Sequence, residues 1–291
     1  GQSDDISISK VMNRSNLHGI GYLVSNNQVS YMGSIIGYGS INEADQLINK
    51  GNIYPNQVGD INLQYIGGLF GYITDIKAYL SNVYQHSDIM IDINQQQQLF
   101  VNGIGYLKND DLTTMITSIT HHGHIELNYS EHLSLNDLKN SQLDISLGMT
   151  IEGQATFYGL YQTQNQYLDI SYIDSLSGML TKVDQMQISI TKAYQKGNLT
   201  FYSSNLLTKS NIKISGVLLG DSYNLEHIRQ EGDIEINLSN DSDVSSKGRL
   251  NVFGVFETLS QDQQANYIYQ GGDISVLSTK VNHLDYDVNV S

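Results

Sequence analysis

The chain lacks cysteine and tryptophan and is poor in proline and arginine. Its 291 residues include one proline, Pro55, and three arginines, Arg14, Arg229 and Arg249. The absence of Cys excludes disulfides, thiolate metal ligands and Cys nucleophiles. One Pro beside 26 Gly is not typical of a Pro-rich linker or a collagen-like rod. The shortage of Arg leaves few side chains that could hold a phosphate or a carboxylate with two hydrogen bonds.

Positive charge is scarce as a whole. The chain has 15 Lys and Arg against 30 Asp and Glu, which gives a net charge of −15. Because an acidic surface repels phosphate backbones and anionic headgroups, we predict no nucleic-acid partner and no electrostatic membrane binding. Apolar runs fall short of the roughly 20 residues of a membrane span, so membrane insertion is not expected. Divalent cations and neutral glycans are the compatible partners.

Two short phrases recur along the chain. The first, the Gly step, consists of glycine, a polar residue, and Ile or Leu. It occurs at Gly51, Gly123, Gly197, Gly232 and Gly272, and with serine at Ser87. The second, the Gly box, is apolar and glycine-rich. It occurs around Gly19, Gly68, Gly103, Gly216 and Gly254. Repetition of this kind is typical of a solenoid or an array.

The spacing of the Gly steps is nearly constant. The intervals from Gly51 to Ser87 and from Ser87 to Gly123 are both 36 residues, and the last two intervals are 35 and 40. Between Gly123 and Gly197 the interval is 74 residues, close to twice 36. A weaker copy is therefore expected inside it, and residues 143–147 and 168–172 both fit.

Between the glycines, polar and apolar residues alternate with the period of a β-strand, as from Asp233 to Leu238. One coil cannot bury its apolar row alone, whereas stacked coils complete both the core and the backbone hydrogen bonds. We predict an all-β fold, a parallel β-solenoid with three short strands per coil, forming one repeat domain over residues 1–291. Roughly eight to ten coils are expected, each adding about 4.8 Å, the spacing of paired strands, to the length of the solenoid. Protruding loops are expected at residues 136–142, 237–247 and 259–265. An antiparallel sandwich is the alternative, but it does not explain the repeated phrases.

The pair of phrases resembles the GLUG-type repeat of bacterial surface proteins, in which a Gly-Gly-aliphatic-x-Gly box lies near a Gly-x-Ile step. The best match is the segment from Gly67 to Tyr72. The resemblance recurs over most of the chain and is poorest from about Glu131 to Val183. It implies an extracellular adhesive, stalk or filament role, and it brings no catalytic residues with it.

Two features are candidates for a metal site. His121, His122 and His124 could hold Zn²⁺ or Cu²⁺. On a strand, however, His122 and His124 share one face and His121 points away, so a polar corner is the preferred interpretation. Asp241 and Asp243 could bind Ca²⁺, but they lack the ligand spacing of known calcium loops, and a solvated acidic loop is preferred. We therefore predict no cofactor, with Ca²⁺ as the alternative.

Two further patterns concern the surface. Asn-x-Ser/Thr sequons, candidates for glycosylation, occur at Asn13, Asn128, Asn198, Asn237, Asn240 and Asn289. Tyrosines end several Gly boxes, among them Tyr22, Tyr72 and Tyr106. They are expected to stack along one face, with coil packing preferred over an adhesive strip.

Taken together, these patterns predict an extracellular or cell-surface structural protein rather than an enzyme. It would act as a stalk, an adhesin or a filament subunit whose coils stack end to end, since a solenoid has open strand edges at its ends. The chain begins at Gly1 without Met, which we interpret as a processed product or a segment of a longer chain. The alternative function is a β-helix that binds or cleaves carbohydrate.

Overall fold

The structure is a computed structural model. It describes residues 2–19, 22–24, 29–55, 62–95, 97–129, 133, 137, 140–170, 172–203, 211–221, 223–239, 246–258, 263–279 and 284–291. In chain order the strands are β1 (Gln2–Asn13), β2 (Leu17–Gly19), β3 (Tyr22–Val24), β4 (Val29–Gly33), β5 (Ile36–Asn49), β6 (Ile53–Pro55), β7 (Leu63–Gly67), β8 (Phe70–Gln85), β9 (Ile89–Ile93), β10 (Gln98–Asn102), β11 (Gly105–Asn109), β12 (Met115–His121), β13 (Ile125–Tyr129), β14 (Gln142–Ser146), β15 (Met149–Gly153), β16 (Ala155–Gln162), β17 (Gln166–Asp169), β18 (Ser175–Ser177), β19 (Leu180–Lys182), β20 (Ile188–Gln195), β21 (Leu199–Ser203), β22 (Asn211–Ser215), β23 (Leu218–Leu219), β24 (Tyr223–Gln230), β25 (Ile234–Ser239), β26 (Ser246–Phe253), β27 (Ala265–Asn266), β28 (Tyr269–Gln270), β29 (Ile274–Thr279) and β30 (Leu284–Val290).

The strands form three faces. The first face is a nine-stranded sheet in the order β3-β4-β7-β10-β14-β18-β22-β26-β30. The second face is a 13-stranded sheet that contains β1, β5, β8 and the later pairs β11/β12, β15/β16, β19/β20 and β23/β24, together with β27 and β28. The third face consists of two four-stranded sheets, β13-β9-β6-β2 and β17-β21-β25-β29.

Successive coils pair in parallel on all three faces, as β7 does with β10 and β21 with β25, except on the third face between β13 and β17. Among the described pairings, only β3 on β4 is antiparallel. The predicted parallel β-solenoid is therefore confirmed, and the antiparallel sandwich is excluded. The predicted number of coils, roughly eight to ten, is higher than the number of complete coils in the described residues. Six coils, beginning at β4, β7, β10, β14, β18 and β22, are complete, and the coil that begins at β26 has only the short strands β27 and β28 on its second face.

The second-face strand is divided in the later coils. It is continuous in β5 and β8, which have 14 and 16 residues, and it is split in two in the four coils that begin at β10, β14, β18 and β22. Those coils have four strands rather than the predicted three. In the predicted loop segments, Asn237–Ser239 belong to β25 and Ser246–Lys247 to β26, while residues 240–245 and 259–262 lie outside the described residues.

The second-face strand also bends at one position in every coil. The bend residue has a positive φ: Lys10, Gln46, Asn82, Ser118, Gly159, Lys192, His227 and Tyr267. Strand register places these eight residues directly above one another, since their neighbours pair coil by coil. Seven of the eight are not glycine, so stacking holds them in a conformation that L-residues seldom adopt.

The interior is divided into two hydrophobic cores. The first core lies between the first and third faces and includes Ile66, Val101 and Ile91. The second lies between the two halves of the second face and includes Phe70, Leu80 and Ile116. The cross-section therefore has two lobes joined at a narrow place, which we call the waist.

Candidate functional site

The two recurring phrases meet at the waist. The Gly box forms the corner between the first and second faces, and the residue two positions before the Gly step points at that corner from the other side. A Cβ on Gly68 would collide with the Gln85 carboxamide, and one on Gly103 would collide with the His121 ring. Gly254 stands in the same relation to Gln270. The box therefore needs glycine for two reasons. A backbone carbonyl of the next coil lies where a Cβ would be, that of Gly103 for Gly68 and that of Leu147 for Gly103, and the polar side chain occupies the remaining space.

These polar side chains form a column that we call the amide ladder. Strand register stacks Asn13, Asn49, Gln85, His121, Gln162, Gln195, Gln230 and Gln270. The Asn49 amide donates to the carbonyl of Gly51 at 3.0 Å and across the waist to that of Gly68 at 3.0 Å. The Gln85 amide donates to the carbonyl of Ser87 at 3.0 Å. Buried amides paired in this way fix the path of the chain at the waist.

The polar residue inside each Gly step forms a second column, the corner ladder. Its members are Asn16, Asn52, Asp88, His124, Asn165, Asn198, Asp233 and Asp273. Six of them, Asn16, Asn52, Asp88, Asn165, Asn198 and Asp233, accept the backbone N–H of the next coil through a side-chain oxygen, as Asp88 does from His124 at 2.9 Å and Asn198 from Asp233 at 3.0 Å. His124 has no side-chain oxygen and interrupts this pattern. The Gly step therefore favours Asn or Asp, which supply the oxygen acceptor.

The missing copy of the Gly step is Gln164-Asn165-Gln166. Both predicted locations were wrong, because residues 143–146 belong to the first-face strand β14 and residues 168–169 to β17. The buried Gln166 side chain stands where other coils have Ile or Leu. Its Oε1 accepts the N–H of Ile125 at 3.4 Å, and its Nε2 donates to the carbonyl of Gly123 at 2.6 Å. The third face divides between β13 and β17 at this point.

His121 replaces the amide in one rung of the amide ladder. Its side chain is 1% exposed, and within the described residues neither ring nitrogen has a hydrogen-bond partner. Burial lowers the pKa of the His121 imidazole from 6.5 to about 3. His121 is therefore a neutral member of the interior and not an exposed ligand.

The other two histidines of the cluster point outward, as strand alternation predicts. His122 Nδ1 lies 2.8 Å from Thr163 Oγ1, and His124 Nε2 lies 2.8 Å from Gln164 Nε2. In the part of the chain that the structure describes, no three His, Cys, Asp or Glu side chains are grouped for a metal ion. Asp241 and Asp243 lie outside the described residues.

The sequons differ in their surroundings. Asn128 and Asn289 are exposed, and their amides donate to the neighbouring coil at the surface, to Asp92 Oδ1 at 3.2 Å and to Asn251 Oδ1 at 3.1 Å. The Asn13 amide donates to Asn49 Oδ1 at 2.8 Å within the amide ladder. Asn198 is part of the corner ladder, and Asn237 Nδ2 donates to Glu235 Oε1 at 2.9 Å. Asn240 lies outside the described residues. A glycan on Asn13 or Asn198 would disrupt a ladder, so Asn128 and Asn289 are the compatible acceptors.

The repeat glycines fall at two corners. Gly68, Gly103, Gly216 and Gly254 lie at the waist corner, and Gly51, Gly123, Gly197, Gly232 and Gly272 lie at the corner before the third face. Gly19 differs, because it pairs with Pro55 on the third face rather than forming a waist corner. The segment around Gly19 is therefore not a structural copy of the Gly box.

Outward aromatic rings stack on both sides of the waist corner. On the first face, Tyr65 stacks on Tyr31 at 5.3 Å and on Phe100 at 5.1 Å between ring centroids. On the second face, Tyr72 and Tyr106 stack at 4.9 Å. The two stacks also touch each other edge to face, as Tyr65 and Tyr72 do at 4.9 Å. The outer surfaces of the two faces therefore enclose a concave notch.

After Phe100 and Tyr106 the aromatic rings are replaced by smaller side chains, and the notch opens. The register positions that follow Phe100 are Asp144, Ser175 and Lys213, and those that follow Tyr106 are Thr150, Thr181 and Leu219. A cavity of about 330 Å³ lies here, with Phe100 and Tyr106 at one end and Lys213 and Glu257 at the other. We call this cavity the notch groove.

Charged groups around the notch groove are mostly paired. Lys182, whose side chain is fully buried, forms an ion pair with Asp184, and Lys213 forms one with Glu257. Burial lowers the pKa of Lys182 from 10.5 to about 8, against the opposing effect of nearby carboxylates. Asp144 accepts hydrogen bonds from Gln142 Nε2 at 2.6 Å and from Ser175 Oγ at 2.5 Å.

Sequence reasoning missed both the amide ladder and the notch groove. The ladder had a visible signal, since an amide or His121 stands two residues before nearly every Gly step. The notch groove had no such signal in the sequence. Its residues come from separate coils and are of different types, and they share only their register positions.

In the described residues, no helix combines the length and the apolar character needed to cross a membrane. No family model matches the chain, and neither a curated protein nor a solved structure matches it.

Proposed function

We propose that the protein is an extracellular structural β-solenoid that serves as a stalk or an adhesin scaffold. The observation that carries the proposal is the use of the repeated residues. The glycines admit close contact between neighbouring coils, and the Asn13 and Asn49 amides and the corner Asn and Asp residues bond from one coil to the next. The repeat is thus built for stacking, which is the basis of a rigid, elongated scaffold. The cell-surface location is implied by the GLUG-type resemblance alone.

Self-association is the second part of the proposal. Both ladders reach the first and the last coil. The amide ladder begins at Asn13 and ends at Gln270, and the corner ladder begins at Asn16 and ends at Asp273. The core residues Ile274 and Val276 of the last coil are only partly buried. A second copy could continue both ladders on β1 and β2, whereas β3 already covers the edge of β4.

Electron microscopy and sedimentation of the purified chain test the proposal. We expect short rods that lengthen as the protein concentration rises. Their lengths should be multiples of the length of one chain, at about 4.8 Å per coil. Gln270→Lys is expected to abolish the growth, because stacking would bury its ammonium group at the waist. Asn266→Lys, on the outer surface of the same coil, is the control and should still assemble. A compact globular particle would overturn the scaffold role, and rods that stay monomeric at high concentration would overturn self-association.

A further inference from the structure

We propose that the notch groove is a binding site for a short, uncharged oligosaccharide. The site begins where the first-face aromatic stack ends. One face of the Phe100 ring lies against Tyr65 with an interplanar angle of 9°. The other face is directed towards the next coil, where register places Asp144 instead of a ring. An aromatic face at the end of a polar cavity is a suitable support for the C–H face of a sugar ring.

The walls of the groove supply the hydrogen bonds that sugar hydroxyls need. Thr150 and Thr181 are buried to nine-tenths or more and line the groove from the second face. Thr150 Oγ1 donates to Asn102 Oδ1 at 2.7 Å and Thr181 Oγ1 lies 2.8 Å from Ser177 Oγ, and each hydroxyl oxygen keeps a lone pair that can accept from a sugar hydroxyl. Asp144, Gln142 and Ser175 face them from the first face. By accepting from Gln142 Nε2 and Ser175 Oγ, the Asp144 carboxylate orders the polar side chains of this wall.

Charge favours a neutral ligand. The charged residues that line the groove are Asp144, Glu257, Lys182 and Lys213, two of each sign. The chain as a whole carries −15. The carboxylates of Asp184, Asp221 and Glu152 also lie close to Lys182. The two lysines are therefore neutralised by their surroundings, and the groove gives no net attraction for an anionic ligand.

Size sets the length of the ligand. A volume of about 330 Å³ is near the lower limit of ligand cavities, which are about 300–1,000 Å³. The open part of the notch extends over the three coils of Asp144, Ser175 and Lys213, or about 14 Å at strand spacing. These dimensions suit one to three sugar units lying along the solenoid axis.

Saturation-transfer NMR on the full chain tests the proposal, with cellobiose, maltose, lactose and N,N′-diacetylchitobiose as probes and trigalacturonic acid as the charged comparison. We expect saturation transfer to at least one neutral sugar and none to the acid. Phe100→Leu removes the ring but keeps an apolar side chain, and Asp144→Asn keeps the shape but removes the charge. Each is expected to weaken binding at least tenfold.

Tyr65→Leu is the matched control, because it removes the adjacent ring of the same stack without lining the groove, and it should bind as the wild type does. Circular dichroism melting curves confirm that each variant is folded. Absence of transfer to all four neutral sugars overturns the proposal, as does binding that Phe100→Leu and Asp144→Asn leave unchanged.

Discussion

At the scale of single residues, the waist shows why particular residue types recur. Gly68 and Gln85 fill one volume together, because the carboxamide occupies the place of a Cβ. The Asn49 amide then donates to two glycine carbonyls, that of Gly51 in its own coil and that of Gly68 in the next coil, which also accepts from Ser34 Oγ at 2.6 Å. A buried polar group stabilises a fold only when its partners are present, so glycine and amide depend on each other.

His121 makes the stability of the waist dependent on pH. Its imidazole titrates near 6.5 in the unfolded chain, and burial lowers the pKa to about 3 in the folded chain. Between these values the unfolded state binds a proton that the folded state does not. Above pH 6.5 His121 therefore causes no loss of stability. Below pH 6.5 it lowers the free energy of unfolding as the pH falls, by up to about 1.4 kcal/mol per pH unit.

We expect His121→Gln to lose less stability than the wild type between pH 7 and pH 5, because glutamine has no proton to bind and matches the other rungs. Urea midpoints followed by circular dichroism measure the difference. His122→Gln removes an exposed histidine of the same cluster and should keep the wild-type pH dependence. An unchanged pH dependence in His121→Gln would contradict the assignment.

At the scale of elements, the bend of the second-face strand depends on stacking rather than on local sequence. The bend residues include Lys10, Gln46, Ser118 and Tyr267, which share no chemical feature. Their left-handed conformation costs roughly 1–2 kcal/mol each for an L-residue. Packing of the second core on both sides of the bend, by residues such as Ile116 and Ile119, holds them there.

The cost of the bend is measurable. Ser118→Gly is expected to raise the free energy of unfolding by up to about 1 kcal/mol, because glycine adopts positive φ without a steric penalty. Thr120→Gly lies two residues further along the same strand, outside the bend, and should lower it by about 0.5–1 kcal/mol. Denaturant unfolding of the two variants compares them directly, and equal destabilisation by both would argue against strain at Ser118.

At the scale of the whole molecule, stability is a sum over neighbouring coils. On the first and second faces each inner coil pairs with two others, as β8 does with β5 and β12, whereas β1 and β30 each have one described partner. Repeat proteins with this arrangement lose structure from their ends inward. The divided third face between β13 and β17 is a weaker contact within the stack.

Hydrogen–deuterium exchange gives the corresponding prediction. We expect the slowest amides in β12, β16 and β20, whose neighbours lie on both sides, and the fastest in β1 and β30. The third-face amides of β13 and β17 should exchange faster than those of β9 and β21. Uniform protection along the chain would indicate a single cooperative unit and contradict this gradient.

Much of the fold could be predicted from repetition. The Gly steps at Gly51, Ser87 and Gly123 predicted the coil length, and the alternation from Asp233 to Leu238 predicted strands. Parallel stacking then followed because it alone brings the copies together. The copy at Gln164 was missed because glutamine occupies the glycine and isoleucine positions of the step, and neither residue carries the periodic signal.

The sequence by itself determined that the chain is an all-β solenoid, since a near-constant repeat of apolar strands can bury its core only by stacking. The tertiary structure decided that the interior has two lobes, that Gly68 and Gln85 meet across a waist, and that the notch opens after Phe100. These features depend on which residues of separate coils share a register position. The register is set by how the coils pack on one another, and no local pattern in the chain encodes which residues of separate coils will be neighbours.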